Sequence, residues 1–220
     1  MAIGSATSVS GGGVSSVTIP TFDTTGANRF VFYGVSLMQW QANVNSVVRG
    51  GAETATQKWS QRSSDDTYTS YGGYFIAPAT ATATAVVTLS ESVTEVHASA
   101  LPMDEVHQTT PTGTHGSTNG TGTTASVTVT AAADETLIDV MVAANWRAPT
   151  AGADQTERWS LYSGSIRAAG SSQPGTADDV MSWGLTDSVV WATGAVPIKP
   201  AIPPQTYFPG RGFSAQQRMG

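Results

Sequence analysis

Cysteine is absent from the 220 residues, which removes disulfides, thiolate nucleophiles and cysteine-ligated zinc together. Charge is scarce as well: Asp, Glu, Lys and Arg make up 12% of the chain, against about 25% in an average soluble protein. Lysine occurs only at Lys58 and Lys199, and the formal net charge is −6. No basic stripe is left to neutralise phosphates, so nucleic acid is not an expected partner. No apolar run approaches the ~18 residues of a membrane span. Met1 to Ser5 shows no basic stretch leading into an apolar one. The expectation is a soluble chain made in the cytoplasm, with no membrane partner.

Catalytic and cofactor signatures are missing too. There is no G-x-S-x-G elbow, no phosphate loop of the form G-x-x-x-x-G-K-[ST] and no G-x-G-x-x-G. The histidines are His97, His107 and His115, none spaced i, i+2 or i+4 from another, so no local metal pair is indicated. His97 falls in a strand pattern and reads as a half-buried sheet residue. The acidic pairs Asp65-Asp66, Asp104-Glu105, Asp134-Glu135 and Asp178-Asp179 lie at strand ends or turns, where aspartate usually bonds its own backbone. The alternating oxygen ligands of a calcium loop are not there. No catalytic residue, cofactor or metal is assigned. A pair of carboxylates meeting in space for glycoside hydrolysis is the weakest reading kept open.

What the chain does have is β-branched and aromatic runs of strand length, separated by Gly, Asn, Asp and Ser clusters. Val14 to Ile19, Asn28 to Met38, Val44 to Arg49, Thr54 to Ser60, Tyr68 to Ile76, Thr82 to Leu89 and Val93 to Leu101 read as strands of a first half. Gly50-Gly51 marks a hairpin, since glycine accepts positive φ without steric cost. Pro78 stops a strand because it has no N–H for the ladder. Residues 108 to 124 read as a long Thr/Gly loop, either mobile or ordered by a neighbour. Strands resume at Ala125 to Thr130, Thr136 to Ala144, Glu157 to Tyr162, Ser165 to Ala168, Asp179 to Leu185 and Ser188 to Val196. Thr136 to Ala144 is the most apolar run and the best central strand. No segment holds a 3.6-residue apolar period over three turns, so little helix is expected.

These elements predict an all-β fold, an antiparallel β-sandwich of the jelly-roll or immunoglobulin-like kind with extended arms at both ends. The expected division is a Gly/Ser-rich flexible N-terminal arm over 1–13, a sandwich domain over 14–197, and a proline-rich C-terminal docking arm over 198–220. That arm carries Tyr207, Phe208, Arg211 and Phe213 in a polyproline-like setting. An extended segment of this kind gains affinity by covering partner surface; its alternative is to wrap its own domain.

Tryptophan is plentiful for so polar a chain, at 40, 59, 146, 159, 183 and 191. Trp159, Trp183 and Trp191 sit inside apolar strand patterns and are expected in the core. Trp40 and Trp146 stand at strand ends beside Gln39 and Gln41, and Asn145 and Arg147, and are expected as surface anchors. Exposed aromatics serve protein contacts or a platform for sugar rings, and both readings stay open.

Five segments carry a resemblance: Asn28 to Phe32, the hairpin Asn45 to Gly51, the strand end Tyr74 to Pro78, the run Ala85 to Leu89, and Leu137 to Val140. In their order they resemble sandwich domains of tailed-bacteriophage structural proteins, in particular capsid decoration (cement) proteins and virion appendage domains. The resemblance spans residues 14 to 198 and brings no catalytic residue with it. It implies a virion structural protein on the particle surface that binds the outer face of a capsid, with the major capsid protein or another virion protein as partner. It further implies a homo-oligomer, commonly a trimer, that reinforces the lattice. The alternative it carries is a carbohydrate-binding or receptor-adhesion module of a tail or fibre, with a glycan as ligand.

Overall fold

The structure is a computed structural model that describes residues 1–144, 147–176 and 179–201. Every regular element among them is a strand, and every ladder is antiparallel. The first half holds β1 (Ala2–Ile3), β2 (Thr7–Gly11), β3 (Val14–Asp23), β4 (Phe30–Met38), β5 (Val44–Arg49), β6 (Glu53–Thr54), β7 (Thr56–Arg62), β8 (Tyr68–Ile76), β9 (Thr82–Val93) and β10 (Glu95–Asp104). The second holds β11 (Gly116–Val129), β12 (Thr136–Ala143), β13 (Thr150–Ala151), β14 (Thr156–Ser163), β15 (Ile166–Pro174) and β16 (Asp179–Ile198).

The two halves are one design used twice. In the first, an inner sheet runs β10-β4-β8-β7 and an outer sheet runs β3-β9-β5-β6. In the second, β16-β12-β15-β14 repeats the inner order. The start of β16 pairs with the end of β11 and with β13, as β9 pairs with β3 and β5. β16 thus does in one strand what β9 and β10 do in two, and β11 does the same for β2 and β3. Each repeat has the same irregularity on its inner edge strand. Lys58 is the extra residue between Gln57 and Trp59, and Arg158 the extra residue between Glu157 and Trp159. A bulge carrying a long cation is how natural edges refuse further strand pairing.

Alternation along the central strands decides what packs where, because successive side chains face opposite sides. Val31, Tyr33, Val35 and Leu37 of β4 join the core between the inner and outer sheets of the first repeat. Phe30 and Phe32 point the other way, into a core shared with Ile138, Val140 and Val196 of the second repeat. On β12, Leu137 and Met141 turn inward to their own repeat. The molecule is therefore four β layers deep, with the middle core built by both repeats.

Two tryptophans key that middle core. Trp59 lies on Gly72 of its own sheet, where a Cβ would come 2.0 Å from its Cη2, and also abuts Gly194 of the other repeat, where a Cβ would come 2.3 Å from its Nε1. Trp159 lies on Gly170 and reaches Gly34 in the same crossed fashion. Phe32 sits between them, 5.8 Å from Trp59 and 6.4 Å from Trp159. Hydrogen bonds stitch the rim. The Glu95 carboxylate of β10 accepts from the Ser165 and Ile166 amides at the β14–β15 turn, at 2.9 and 3.2 Å. In the reverse sense, Asn119 of β11 donates to the Arg62 carbonyl at the β7–β8 turn, at 2.7 Å.

Several expectations change. Residues 1–13, read as a flexible arm, supply β1 and β2, both paired to β10; Gly and Ser there let the chain cross closely over its neighbours. Residues 108 to 124, read as a loop, contain most of β11, whose Thr and Gly residues are half exposed along β16 and so show no apolar alternation. The single sandwich over 14–197 is two sandwiches face to face. The docking arm expected from 198 begins too early, since Ile198 is fully buried and paired to Thr136, Pro200 bridges Val106, and the Ala201 amide donates to the Glu105 carbonyl. The strand return expected over Thr54 to Ser60 is split, β6 staying in the outer sheet and β7 crossing to the inner one.

Candidate functional site

The buried ionisable groups Asp139, Arg49 and His97 are each fixed by neighbours from other strands or turns. Asp139 stands in the middle of β12 with no exposed surface. Its Oδ1 accepts from the Ser171 amide at 2.6 Å and the Ser171 hydroxyl at 2.8 Å, and its Oδ2 from Trp183 Nε1 at 2.7 Å. Burial pushes its pKa up to about 7, although these donors pull the other way. By register Asp139 occupies the place of Tyr33 in the first repeat, as Trp183 takes that of Val87 and Ser171 that of Gly73. One repeat fills the space with a large ring on the inner strand and a small side chain opposite. The other inverts the sizes, and the shorter acid finds donors. The exchange preserves core volume and explains a lone carboxylate inside an apolar run.

Arg49 is the second such group, 1% exposed at the end of β5. Its Nη1 donates to Glu53 Oε2 at 2.7 Å, its Nη2 to Thr24 Oγ1 at 2.7 Å, and its Cζ stands 5.6 Å from the Phe22 ring centroid. Burial alone would raise the Glu53 pKa, but the Ala79 amide and the Arg49 cation outweigh it and hold the carboxyl below its ordinary range. The cluster ties the end of β3, the β5–β6 turn and the segment before β9. Arg49→Met is expected to lower stability by about 1–2 kcal/mol, because Thr24 Oγ1 loses a buried donor while Glu53, whose side chain is 30% exposed, is hydrated in its place. Urea unfolding checks it, and an unchanged midpoint would deny the cluster that role.

The histidines are set among close neighbours, although Nε2 of the buried His97 has no hydrogen-bond partner. His97 is 1% exposed and its Nδ1 pairs with the Ser10 hydroxyl at 2.7 Å. Burial, with the Arg167 cation adding to it, pushes its pKa down to about 4. His107 Nδ1 accepts from the Thr109 and Thr110 amides. His115, expected in a mobile loop, instead stacks on Trp59 with ring centroids 6.3 Å apart. Of the acidic pairs, Asp65 accepts from the Ser63 hydroxyl and the Thr67 amide, and Glu135 accepts from the Ala132 amide. Asp179 accepts from the Thr176 amide. Among the described residues no three His, Cys, Asp or Glu side chains gather closely enough to hold a metal ion.

The surface is more distinctive than the interior. Across the outer sheet of the first repeat the exposed face reads Thr18, Val86, Val48 in one row and Ser16, Thr88, Ser46 in the next. The second repeat presents Thr128 beside Val180 and Ser126 beside Ser182. Neither set of rows carries a charge, and both expose a valine, Val86 at 38% and Val180 at 51%. Trp40, at the turn after β4, is 65% exposed, the most exposed of the large apolar side chains among the described residues. Trp159, Trp183 and Trp191 are buried as expected. Trp146, Tyr207, Phe208, Arg211 and Phe213 lie outside the described residues.

The fold defines the class: an all-β protein of antiparallel sheets packed as sandwich-like layers. Compared with known proteins, the chain matches no family model, no curated protein and no solved structure. No helix among the described residues is long and apolar enough to cross a membrane.

Proposed function

We propose that this chain is a non-catalytic virion structural protein of the capsid-decoration kind, which attaches to the outer face of a capsid and reinforces it as a homo-oligomer, with a trimer as the expected state. The observation that carries the reading is the uncharged Thr/Ser/Val outer face present in both repeats. A weakly charged face can be covered by another protein without stranding charges in a low-dielectric contact. A protein reinforcing a lattice also has to be stiff, and four layers with a shared middle core supply that. The bulged inner edges limit open-ended strand addition, which favours closed, face-mediated assembly. The proline-rich segment 202–220 is the proposed tether, adding contacts at an effective concentration set by the folded body.

The test uses particles purified from the source that encodes the chain. The full chain is expected in them at a fixed ratio to the capsid protein. Added back to particles lacking it, residues 1–201 should fold but bind at least about tenfold more weakly than the whole chain. Absence from purified particles, or equal binding by the shortened chain, would refute attachment or the tether respectively. A monomeric mass in solution and on the particle would remove the oligomer.

A further inference from the structure

We propose that β11 is where two copies of this chain join, edge to edge and antiparallel, over residues 117–122. The contact is two-fold and lies on a strand edge, so it goes beyond particle attachment and the face-mediated trimer. It starts from a comparison of the sheet edges. β7 and β14 each carry a bulge with a cation at it, Lys58 or Arg158. β6 and β13 are two residues long. Along β10 the edge is shared by β1, of two residues, and β2, of five. β3 contains Pro20 and two breaks of register. Each of these devices hinders an added strand. Among the described strands β11 escapes them: it is 14 residues long, holds neither proline nor a charged residue, and pairs with β16 alone.

The internal repeat makes that difference informative. In the first repeat the place of β11 is taken by β2 and β3, and there the same flank is broken by Gly12 and Gly13, by Pro20 and by the two breaks of register. In the second repeat one strand runs along it. Core packing does not demand this, since residues 117–124 are all half-exposed or exposed. What a long bare edge offers is a row of main-chain donors and acceptors ready for another strand.

The strand suited to cover it is β11 of a second copy, the long unblunted edge that every copy brings. Identical strands that pair antiparallel close on a two-fold axis and use up both edges, so no open-ended fibre follows. With a net charge of −6, two chains repel each other in general, and an uncharged edge is where they approach at least cost. Ser and Thr set across from one another on an antiparallel ladder contribute favourably, whereas like charges there would not.

The fold also selects the stretch. A Cβ on Gly116 would stand 2.7 Å from the Thr128 carbonyl oxygen and 3.1 Å from Val127 Cγ2, so the two ends of β11 lie against each other. The break of register between Gly122 and Thr124 separates the first part from the second. Residues 117–122 remain, and the largest overlap puts the axis at Asn119 or Gly120, facing its own copy. Asn119 spends its side chain on the Arg62 carbonyl and Gly120 has none, so neither obstructs a strand arriving at about 4.8 Å.

Sedimentation of the full chain is the first test. The mass should be that of an even number of chains, two alone or six where the three-fold contact also forms. Ser117→Cys, Thr118→Cys, Thr121→Cys and Thr123→Cys, each the sole cysteine of its chain, can carry a nitroxide. The inter-chain distance should be shortest within this stretch and lengthen by about 6.6 Å per residue on either side. Thr118→Lys with Thr121→Lys should weaken association by about tenfold or more at low salt, as should Thr118→Glu with Thr121→Glu, and an equal mixture of the two double variants should pair again. One or three chains in solution would overturn the proposal, three leaving the trimer in place. Distances with no minimum on β11 would overturn it as well. So would double variants that associate like the wild type, or that fail to pair with each other. Attachment to the particle is read separately by the add-back experiment, so either reading can fail without the other.

Discussion

Gly72→Ala is expected to cost about 3 kcal/mol or more, a large part of the 5–15 kcal/mol that holds a domain together. The added Cβ would stand 2.0 to 2.4 Å from three atoms of the Trp59 six-membered ring, and overpacking of this kind is relieved only if something moves. The ring has nowhere to go, because its other side abuts Gly194 of the second repeat, and β8 is paired on both flanks. Gly170→Ala against Trp159 repeats the conflict, with contacts of 2.0 to 2.4 Å, and should cost a similar amount. Trp59→Leu alone opens a cavity, which costs about 3 kcal/mol. Combined with Gly72→Ala the loss should fall well short of the sum, since the methyl partly fills the space. Urea unfolding of the two singles and the double closes the cycle. Additive losses, or a mild Gly72→Ala, would mean that the indole does not key the repeats together.

This centre was legible in fragments. The strands were visible as β-branched and aromatic runs, and Asn28 to Met38 announced a doubly covered strand by being apolar on both alternations. The repeat itself was hidden because its halves share register rather than residues. Tyr33 answers to Asp139 and Val87 to Trp183, exchanges that conserve volume and erase similarity. Two signals survive in the sequence, Trp59-Ser60 against Trp159-Ser160 and Ser90-Glu91-Ser92-Val93 against Thr186-Asp187-Ser188-Val189. β11 was missed for a different reason, since a Thr/Gly strand half exposed along its length has no apolar period to detect. The acid within Thr136 to Ala143 was in plain view, but its partners Ser171 and Trp183 come from β15 and β16, and only the fold brings them to it.

Asp139 and His97 should also shape how stability responds to pH, in opposite directions. The folded His97 titrates near 4, below its ordinary 6.5, so between those values the unfolded chain holds a proton that the native one refuses. Stability contributed by His97 is then full above about pH 6.5 and falls by about 1.4 kcal/mol per unit as acid is added. Asp139 titrates near 7, above its ordinary 3.8, so across that window the native chain holds the extra proton. Its contribution is full below about pH 4 and is lost at about the same rate as pH rises towards 7. From about pH 4.5 to 6 the two slopes cancel, and the wild-type protein should be nearly flat there. Glu53 and Asp65, both held below the ordinary carboxylate range, act at more acid pH than this window. Asp139→Asn should uncover the histidine slope, losing about 2 kcal/mol of stability between pH 6 and pH 4.5. It will also lower stability overall, because an amide must turn N–H towards a donor, but the slope is the readout. His97→Gln should uncover the opposite slope, with stability falling by a similar amount from pH 4.5 to pH 6. The double variant should be flat again. Singles as flat as the wild type in chemical denaturation across this range would show that neither burial shifts its group as far as the packing of β10 and β12 demands.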